Sequence, residues 1–178
     1  MNDPYLYPHT DILKNLADIW DREMLSCMEA EYTSIRLAEL VIRESVSRFD
    51  FASLCDMHYY IFQDIYEWAG KIRIINIEKP EPALGGISIE YSDCFDIEKD
   101  ATFVLNKMNQ YAWEKASLEE VAKMFPQYLA ELWKVHPYRE GNTRTVITFC
   151  SQFIEGRGFY IDSFGCFGKR SGNETKSL

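Results

Sequence analysis

Apolar residues recur three and four positions apart along most of the chain, and this spacing predicts a helical protein. One helix is expected to begin at Ser117, because Glu120 follows three residues later and the two form a capping-box signature. Pro126 lies inside that helix and is expected to kink or split it. The predicted helical segments are 10–23, 27–48, 53–68, 96–113, the segment that begins at Ser117, and 143–155.

Residues 72–91 break the helical pattern. The stretch 72–78 is rich in isoleucine and partly alternating, and a similar stretch, 87–91, follows a segment rich in Pro and Gly. These two stretches predict the strands of a β-hairpin inserted between helices. Because an isolated hairpin is only marginally stable in water, it is expected to pack on the helices or to await a partner strand at its free edge.

The composition is typical of one compact domain. The chain has 178 residues, of which 47% are hydrophobic, enough for a core of its own. Its formal net charge of −9 argues against nucleic acid and anionic membranes as partners. No stretch is apolar for long enough to cross a bilayer, and the first residues do not resemble a signal peptide. Five scattered cysteines without a C-x-x-C pair favour a reducing compartment, so a cytoplasmic location is expected, with delivery as an effector as the alternative.

The most informative string is the ten residues that begin at His136, at the junction of two predicted helices. A helix start presents N–H groups without intrahelical partners, and Gly141 lets the backbone approach a ligand closely. Asn142 and Arg144 add donors in the first turn, so the junction favours a phosphate cradle. Glu140 is suited to Mg²⁺, and an imidazole at His136 can take a proton from a nucleophile.

Each of these residues also has an ordinary interpretation. Glu-Gly-Asn is a common helix–helix turn, in which Asn142 is a cap and Arg144 a solvated charge. The conjunction of His, an aromatic residue, an acid, Gly, Asn and Arg within nine positions is far more specific. His58, in a helix rich in aromatic residues, is expected to pack or cap and not to catalyse.

The nine residues from His136 to Arg144 resemble the signature of Fic-domain proteins, H-x-F-x-(D/E)-G-N-G-R-x-x-R. The likeness extends over about residues 3–162. It implies an all-α protein, a Fic-fold helical bundle with a small β-hairpin flap next to the active site. The implied organisation is a Fic domain over 1–162, with the flap at 72–91 and the active-site motif and helix start at 136–147, followed by an irregular tail over 163–178.

The resemblance also implies an activity, the transfer of AMP from ATP to a Ser, Thr or Tyr hydroxyl of a target protein. His136 would be the base that deprotonates this hydroxyl, and Glu140 would bind the Mg²⁺ that bridges the phosphates. Arg144 would hold the β-phosphate. The anion hole for the α-phosphate would come from Gly141, Asn142 and Thr143. The flap would clamp the target by strand-like pairing; its docking residues would be Ile72, Ile74, Ile75, Asn76 and Ile77.

The sequence departs from the family pattern at two positions of the motif. Thr143 replaces the second Gly, which adds a side chain near the phosphates. Ile147 stands where the family has its final Arg, which binds the γ-phosphate and pairs with the glutamate of an inhibitory helix. The inhibitory signature (S/T)-x-x-x-E-(G/N) is not evident either, so inhibition is expected to come from a separate small antitoxin-like protein.

Two other functions stay open beside AMP transfer. A Doc-like phosphotransferase, which uses ATP in the opposite sense, is favoured by Thr143 and by the missing distal Arg. A Fic fold kept as an interaction module is favoured by Ile147 and by the glycine-rich tail, whereas the intact His136 and Glu140 argue against it.

Overall fold

Five α-helices make up just over half of the described residues of the computed structural model, which describes residues 3–42, 48–78, 89–161 and 167–169. The helices are α1 (Arg22–Ile42), α2 (Phe51–Phe62), α3 (Ile97–Gln110), α4 (Leu118–Val135) and α5 (Asn142–Glu155), with a 3₁₀ turn (Trp113–Lys115) before α4. The strands β1 (Phe159–Ile161) and β2 (Phe167–Lys169) form one antiparallel hairpin. The predicted all-α fold is therefore confirmed, and its small hairpin lies at a different place in the chain from the one predicted.

The core forms around α2, which packs on α1, α3 and α5. Leu54, Ile61 and Phe62 of this helix are completely buried, and each stabilises the fold by about 1.5–3 kcal/mol through burial. Phe149 and Phe153 of α5 are completely buried in the same core cluster. Because α5 carries the predicted motif at its start, this packing fixes the site directly onto the core.

Helix α4 begins as the sequence predicts. The Ser117 hydroxyl accepts from the Glu120 N–H at 3.2 Å, and the Glu120 carboxylate accepts from the Ser117 N–H at 2.8 Å, which completes the capping box. The expected split at Pro126 does not occur, and α4 runs through it as one helix. Phe125 and Leu132 are buried on either side of the proline, so tertiary packing holds both halves together.

The predicted helix over 10–23 is wrong, because the chain is not helical until Arg22. The side chain of Asn15 takes the place of helical hydrogen bonds: it donates to the carbonyl of Ile19 at 2.8 Å and accepts from the Ile19 N–H at 2.9 Å. Asn side chains compete with helices in this way. Asp18 then adopts a left-handed conformation with φ 51°, so the apolar residues of this segment reach the core from a loop.

The predicted hairpin strands are not formed in the described parts of 72–91, which are an outgoing limb (72–78) and the start of a returning limb (89–93). Residues 79–88 of the prediction lie outside the described residues. A groove of about 470 Å³ lies between the limbs. The limbs therefore lie side by side as the predicted flap requires, but without a ladder of main-chain hydrogen bonds over their described residues.

Side chains tie the limbs together in place of a ladder. The guanidinium of Arg73 donates to the carbonyls of Ile75, at 2.8 Å, and Ser92. The Asn76 amide oxygen accepts from the Cys94 N–H at 2.8 Å. Carbonyl and N–H groups that a hairpin would pair across the limbs are thus bonded to side chains, which explains why β-branched composition alone misleads here.

The observed hairpin lies after α5, and its second strand falls in the segment expected to be an irregular tail. Phe159 pairs with Lys169, and Phe159 is completely buried. Phe167 packs edge-on against Phe125 of α4 at 5.6 Å between ring centroids. Two aromatic anchors therefore order residues that show little apolar periodicity.

Over the described ranges, every helix is too short or too polar to span a membrane.

Candidate active site

His136 lies at the C-terminal end of α4 in a left-handed conformation, with φ 51° and ψ 59°. This conformation costs a non-glycine residue about 1–2 kcal/mol, so the surroundings must stabilise it. The ring is buried between Tyr91, stacked on it at 3.9 Å, and Trp133, edge-on at 5.6 Å. The predicted base is therefore held in one orientation, against the returning limb of the flap.

The loop after His136 is shaped by one side chain. Asn142 accepts from the Tyr138 N–H at 2.8 Å and donates to the Tyr138 carbonyl at 2.7 Å, and both residues are buried. The Asn142 amide is therefore used to close the loop. What Asn142 presents to a ligand is its backbone N–H.

The first turn of α5 has the backbone donors that the predicted anion site needs. The first intrahelical hydrogen bond runs from the Thr145 N–H to the Gly141 carbonyl at 3.1 Å. The N–H groups of Asn142, Thr143 and Arg144 precede that bond and sit at the positive end of the helix dipole. A phosphate group at this end would be bound by backbone donors.

Gly141 is required at this turn for two reasons. Its φ of 81° is favourable only for glycine, and a Cβ there would lie 2.2 Å from the ring of Phe62. The turn consequently lies directly on the aromatic core of α2.

Glu140 is oriented toward the same turn. Its carboxylate accepts a hydrogen bond from the Gly141 N–H at 3.0 Å. It also lines a cavity of about 270 Å³ together with Glu29 and Arg139. No three His, Cys, Asp or Glu side chains are grouped as a metal site anywhere in the described residues. A single carboxylate beside an anion site fits Mg²⁺, which takes its remaining ligands from phosphate oxygens and water.

His58 of α2 is hydrogen-bonded to the loop that follows His136. Its Nδ1 accepts from the Gly70 N–H at 2.8 Å, so its Nε2 carries the proton and donates to the Glu140 carbonyl at 3.1 Å. The ring stacks on Tyr138 at 3.7 Å. Burial lowers the pKa of His58 to about 4, and burial also raises the pKa of Tyr138 well above its usual value. The expected packing role of His58 is confirmed, and both rings are neutral at pH 7.

Thr143 uses its hydroxyl to hold Trp133. The indole N–H of Trp133 donates to the Thr143 hydroxyl at 2.9 Å. The side chain that replaces the family's glycine is therefore hydrogen-bonded to the ring beside His136. The two residues lie 10 positions apart on different helices, so no local pattern in the sequence marks this bond.

Arg144 is bound to α1. Its guanidinium pairs with Glu29, donates to the Thr33 hydroxyl at 3.1 Å, and lies 4.9 Å from the centre of the Phe62 ring. Glu29 also accepts from the hydroxyl of Tyr66, whose pKa is raised by burial and by this carboxylate. The pairing was missed from the sequence, since Glu29 and Arg144 lie 115 positions apart.

The remaining predicted residues are divided between core and surface. Ile72 packs against the core, whereas Ile74 is 68% exposed. Asn76 and Ile77 line the groove between the limbs. Ile147 is 47% exposed, one turn after Arg144 on α5. The flap residues thus form a surface beside the buried base.

Comparison with known proteins decides the family. Residues 48–154 match the family model described as Fic/DOC family. The chain belongs to the Fic/DOC family. The range that matches the family model includes the whole loop from His136 to Gly141 and nearly all of α5.

Two curated relatives are similar over most of this Fic/DOC chain. It is 32% identical over 162 residues to "Probable protein adenylyltransferase y4lH" of Sinorhizobium fredii (strain NBRC 101917 / NGR234), covering 91% of this chain and 80% of that protein. It is 31% identical over 162 residues to "Protein adenylyltransferase VbhT" of Bartonella schoenbuchensis, covering 90% of this chain. The chain spans only 32% of the length of VbhT.

Solved structures share the fold. The N-terminal Fic domain of a VirB-translocated Bep effector protein from Bartonella quintana has a TM-score of 0.76 and 22% identity, covering 90% of this chain and 77% of that chain. BepC from Bartonella tribocorum, with bound AMPPNP, has a TM-score of 0.69 and 22% identity, covering 89% and 80%. The helical architecture is therefore the Fic fold.

Proposed function

We propose that this chain is a protein adenylyltransferase, which moves AMP from ATP to a Ser, Thr or Tyr hydroxyl of a target protein. The observation that carries the proposal is the placement of a buried, oriented His136 one loop away from the anion site at the start of α5. Family membership and the names of the similar relatives support it.

The proposed reaction needs a base and a site for phosphates. The target oxygen forms a bond to the α-phosphorus of ATP, the bond to the bridging oxygen breaks, and pyrophosphate leaves. His136 accepts the hydroxyl proton, a role that typically contributes about 10²–10⁴-fold in rate. Its stacking between Tyr91 and Trp133 fixes the imidazole for this step.

The start of α5 is the proposed phosphate site. The N–H groups of Asn142 and Thr143 are assigned to the α-phosphate, and the glycine at 141 lets that phosphate lie close to the backbone. The guanidinium of Arg144 is assigned to the β-phosphate. Since its contacts with Glu29 and Thr33 use two of five N–H donors, it retains donors for a ligand.

Glu140 is the proposed Mg²⁺ ligand. Its carboxylate already faces the first turn of α5 through the hydrogen bond from Gly141. Mg²⁺ held there would neutralise charge that develops on the phosphates. His58 holds the carbonyl of Glu140 and thereby the direction of this residue.

The flap is the proposed docking surface for the target. Tyr91, which stacks on His136, is one of the residues that line the groove between its limbs. An extended segment in the groove would therefore bring a hydroxyl toward the base. The assigned residues are Ile72, Ile74, Ile75, Asn76 and Ile77. A cytoplasmic location and a separate antitoxin-like inhibitor stay predictions of the sequence.

Labelled ATP tests the proposed function. Purified protein, Mg²⁺ and a bacterial lysate are incubated with ATP labelled at the α- or the γ-phosphate, and label on protein is measured. Transfer of the α label supports adenylyl transfer, whereas transfer of the γ label alone identifies a phosphotransferase. His136→Asn, which tolerates the left-handed conformation, should lose at least 100-fold in rate. His9→Asn, at another histidine with positive φ, is the matched control.

A further inference from the structure

Arg73 is a buried arginine whose donors are bonded to the catalytic loop as well as to the flap. Its Nε donates to the carbonyl of His136 at 2.9 Å, and its backbone N–H donates to the carbonyl of Pro137 at 2.9 Å. The residue is 1% exposed. A guanidinium in this position has a fixed fork of donors, so its partners are fixed relative to one another.

The bond to His136 meets a specific need of the loop. In the left-handed conformation at His136 the chain turns out of α4, and the residue's N–H donates to the carbonyl of Trp133 at 3.1 Å. The carbonyl of His136 is directed to Arg73. A buried carbonyl without a donor is costly, so this bond favours the left-handed turn over other conformations.

The same guanidinium reaches both limbs of the flap. It donates to the carbonyl of Ile75 on the outgoing limb and to that of Ser92 on the returning limb. Ser92 directly follows Tyr91, the residue stacked on the imidazole of His136. Arg73 thus holds the carbonyl of His136 directly. The ring of His136 is held by Tyr91, whose neighbour Ser92 is also bonded to Arg73.

We propose that Arg73 is a positioning residue, which holds His136 in its left-handed conformation and joins the catalytic loop to both limbs of the flap. The proposal rests on the function proposed above, since it gives Arg73 an effect on the base. Among the described residues, the hydrogen bonds of Arg73 go to the loop and the flap and not to the first turn of α5, so Arg73 acts through His136. Its loss should therefore lower the transfer rate at saturating ATP and leave ATP affinity nearly unchanged.

Arg73→Lys is the test variant, because an ammonium group cannot reproduce the planar fork that spans three chain segments. Arg157→Lys is the control. Arg157 is partly buried and, like Arg73, donates to a carbonyl, that of Phe153 at 3.1 Å, but it lies beyond the far end of α5. Circular dichroism checks folding, calorimetry gives the Kd for ATP, NMR follows the His136 ring resonances, and α-labelled ATP with a bacterial lysate gives the rate.

For folded Arg73→Lys, the expected result is at least a tenfold loss of rate, a Kd for ATP within threefold of wild type, and displaced His136 ring resonances. Arg157→Lys should change none of the three. Unchanged ring resonances with a wild-type rate in Arg73→Lys would overturn the proposal.

A measurement on the unmodified protein covers the case in which Arg73 variants do not fold. The Arg73 Nε–H resonance should exchange slowly with solvent and show a nuclear Overhauser contact to His136; rapid exchange without this contact would overturn the assignment. Failure of the proposed function looks different, because the wild type would then transfer no α label while these NMR measurements still test Arg73.

Discussion

Glu29 on α1 is ion-paired with Arg144 in the first turn of α5, at the end of the helix that presents its unpaired N–H groups. The side chain of Glu29 is 16% exposed, so solvent screens this pair only in part. A carboxylate in this position competes with phosphate oxygens for the guanidinium of Arg144.

Glu29→Gln should tighten ATP binding by about three- to tenfold, because it removes a negative charge beside the phosphate site and keeps an oxygen that accepts from Arg144. Calorimetry with Mg-ATP measures the change. Glu31→Gln makes the same charge change at an exposed position of α1 and should have little effect. Weaker binding by Glu29→Gln would show that Glu29 orients Arg144 for phosphate and does not compete with it.

Gly141→Ala should destabilise the fold by about 2–4 kcal/mol, since it combines a left-handed φ with a contact of 2.2 Å to Phe62. Gly158→Ala separates the two causes. Gly158 has a φ of 85° but no atom within 4 Å of the added Cβ, so only backbone strain of about 1 kcal/mol applies. Urea unfolding measures both variants. Equal losses would mean that the Phe62 contact relaxes without cost.

The buried His58 should make stability fall in mild acid. Its pKa is about 4 in the folded protein against about 6.5 in the unfolded chain, so the unfolded state binds the extra proton. The contribution is fully present above about pH 6.5 and is lost toward pH 4, at about 1.4 kcal/mol per pH unit.

Urea unfolding of wild type and His58→Asn between pH 7.5 and 4.5 measures this slope. The variant should be less stable at pH 7.5, and its stability should fall less steeply as the pH is lowered. Parallel pH dependences for the two proteins would show that His58 does not stay neutral in the fold.

Ile147→Arg should make ATP preferred over ADP. Position 147 lies one turn beyond Arg144 on the same side of α5, and a charge-assisted contact with the γ-phosphate is worth about 1.5–3 kcal/mol. Calorimetry with each nucleotide gives the ratio of affinities. Glu155→Arg, which places an arginine at the exposed opposite end of α5, about 12 Å farther along the helix axis, should leave the ratio unchanged. An unchanged ratio in Ile147→Arg would indicate another orientation of the nucleotide.

Glu140→Gln should remove most of the effect of Mg²⁺ on nucleotide affinity. The amide keeps an oxygen that accepts from the Gly141 N–H, so the loop is retained while the metal ligand loses its charge. Titrations of ATP with Mg²⁺ and with a chelator measure the effect in each protein. The same Mg²⁺ dependence in wild type and variant would exclude Glu140 from the metal site.

Local patterns predicted much of the helical frame. The capping box at Ser117 depends on residues three positions apart, and the motif from His136 to Arg144 depends on one turn, so both can be recognised in sequence. The same local rules fail where a side chain replaces a backbone partner. Asn15 and Arg73 do this, and in the described residues around them the predicted helix and the predicted strands are not formed.

The hydrogen bonds that hold the site in place could not be predicted from the spacing of residues in the sequence. His58 and Glu140 lie 82 positions apart, and Arg73 and His136 lie 63 apart. Such pairs form only when separate elements pack together, and nothing in their own neighbourhoods marks them. The observed hairpin was missed for the same reason, since Phe167 is ordered by Phe125 on another element.

Phe62 stands at the centre of these supports. Its ring is completely buried, stacks on His58 at 4.7 Å, lies under Arg144 and excludes any side chain at Gly141. One core residue therefore lies directly beneath the proposed phosphate site, so the described residues of this site are in direct contact with the interior of the protein. Heat inactivation and loss of the native fold should consequently be a single cooperative event. Substitutions that repack the interior should also change the activity of the proposed site.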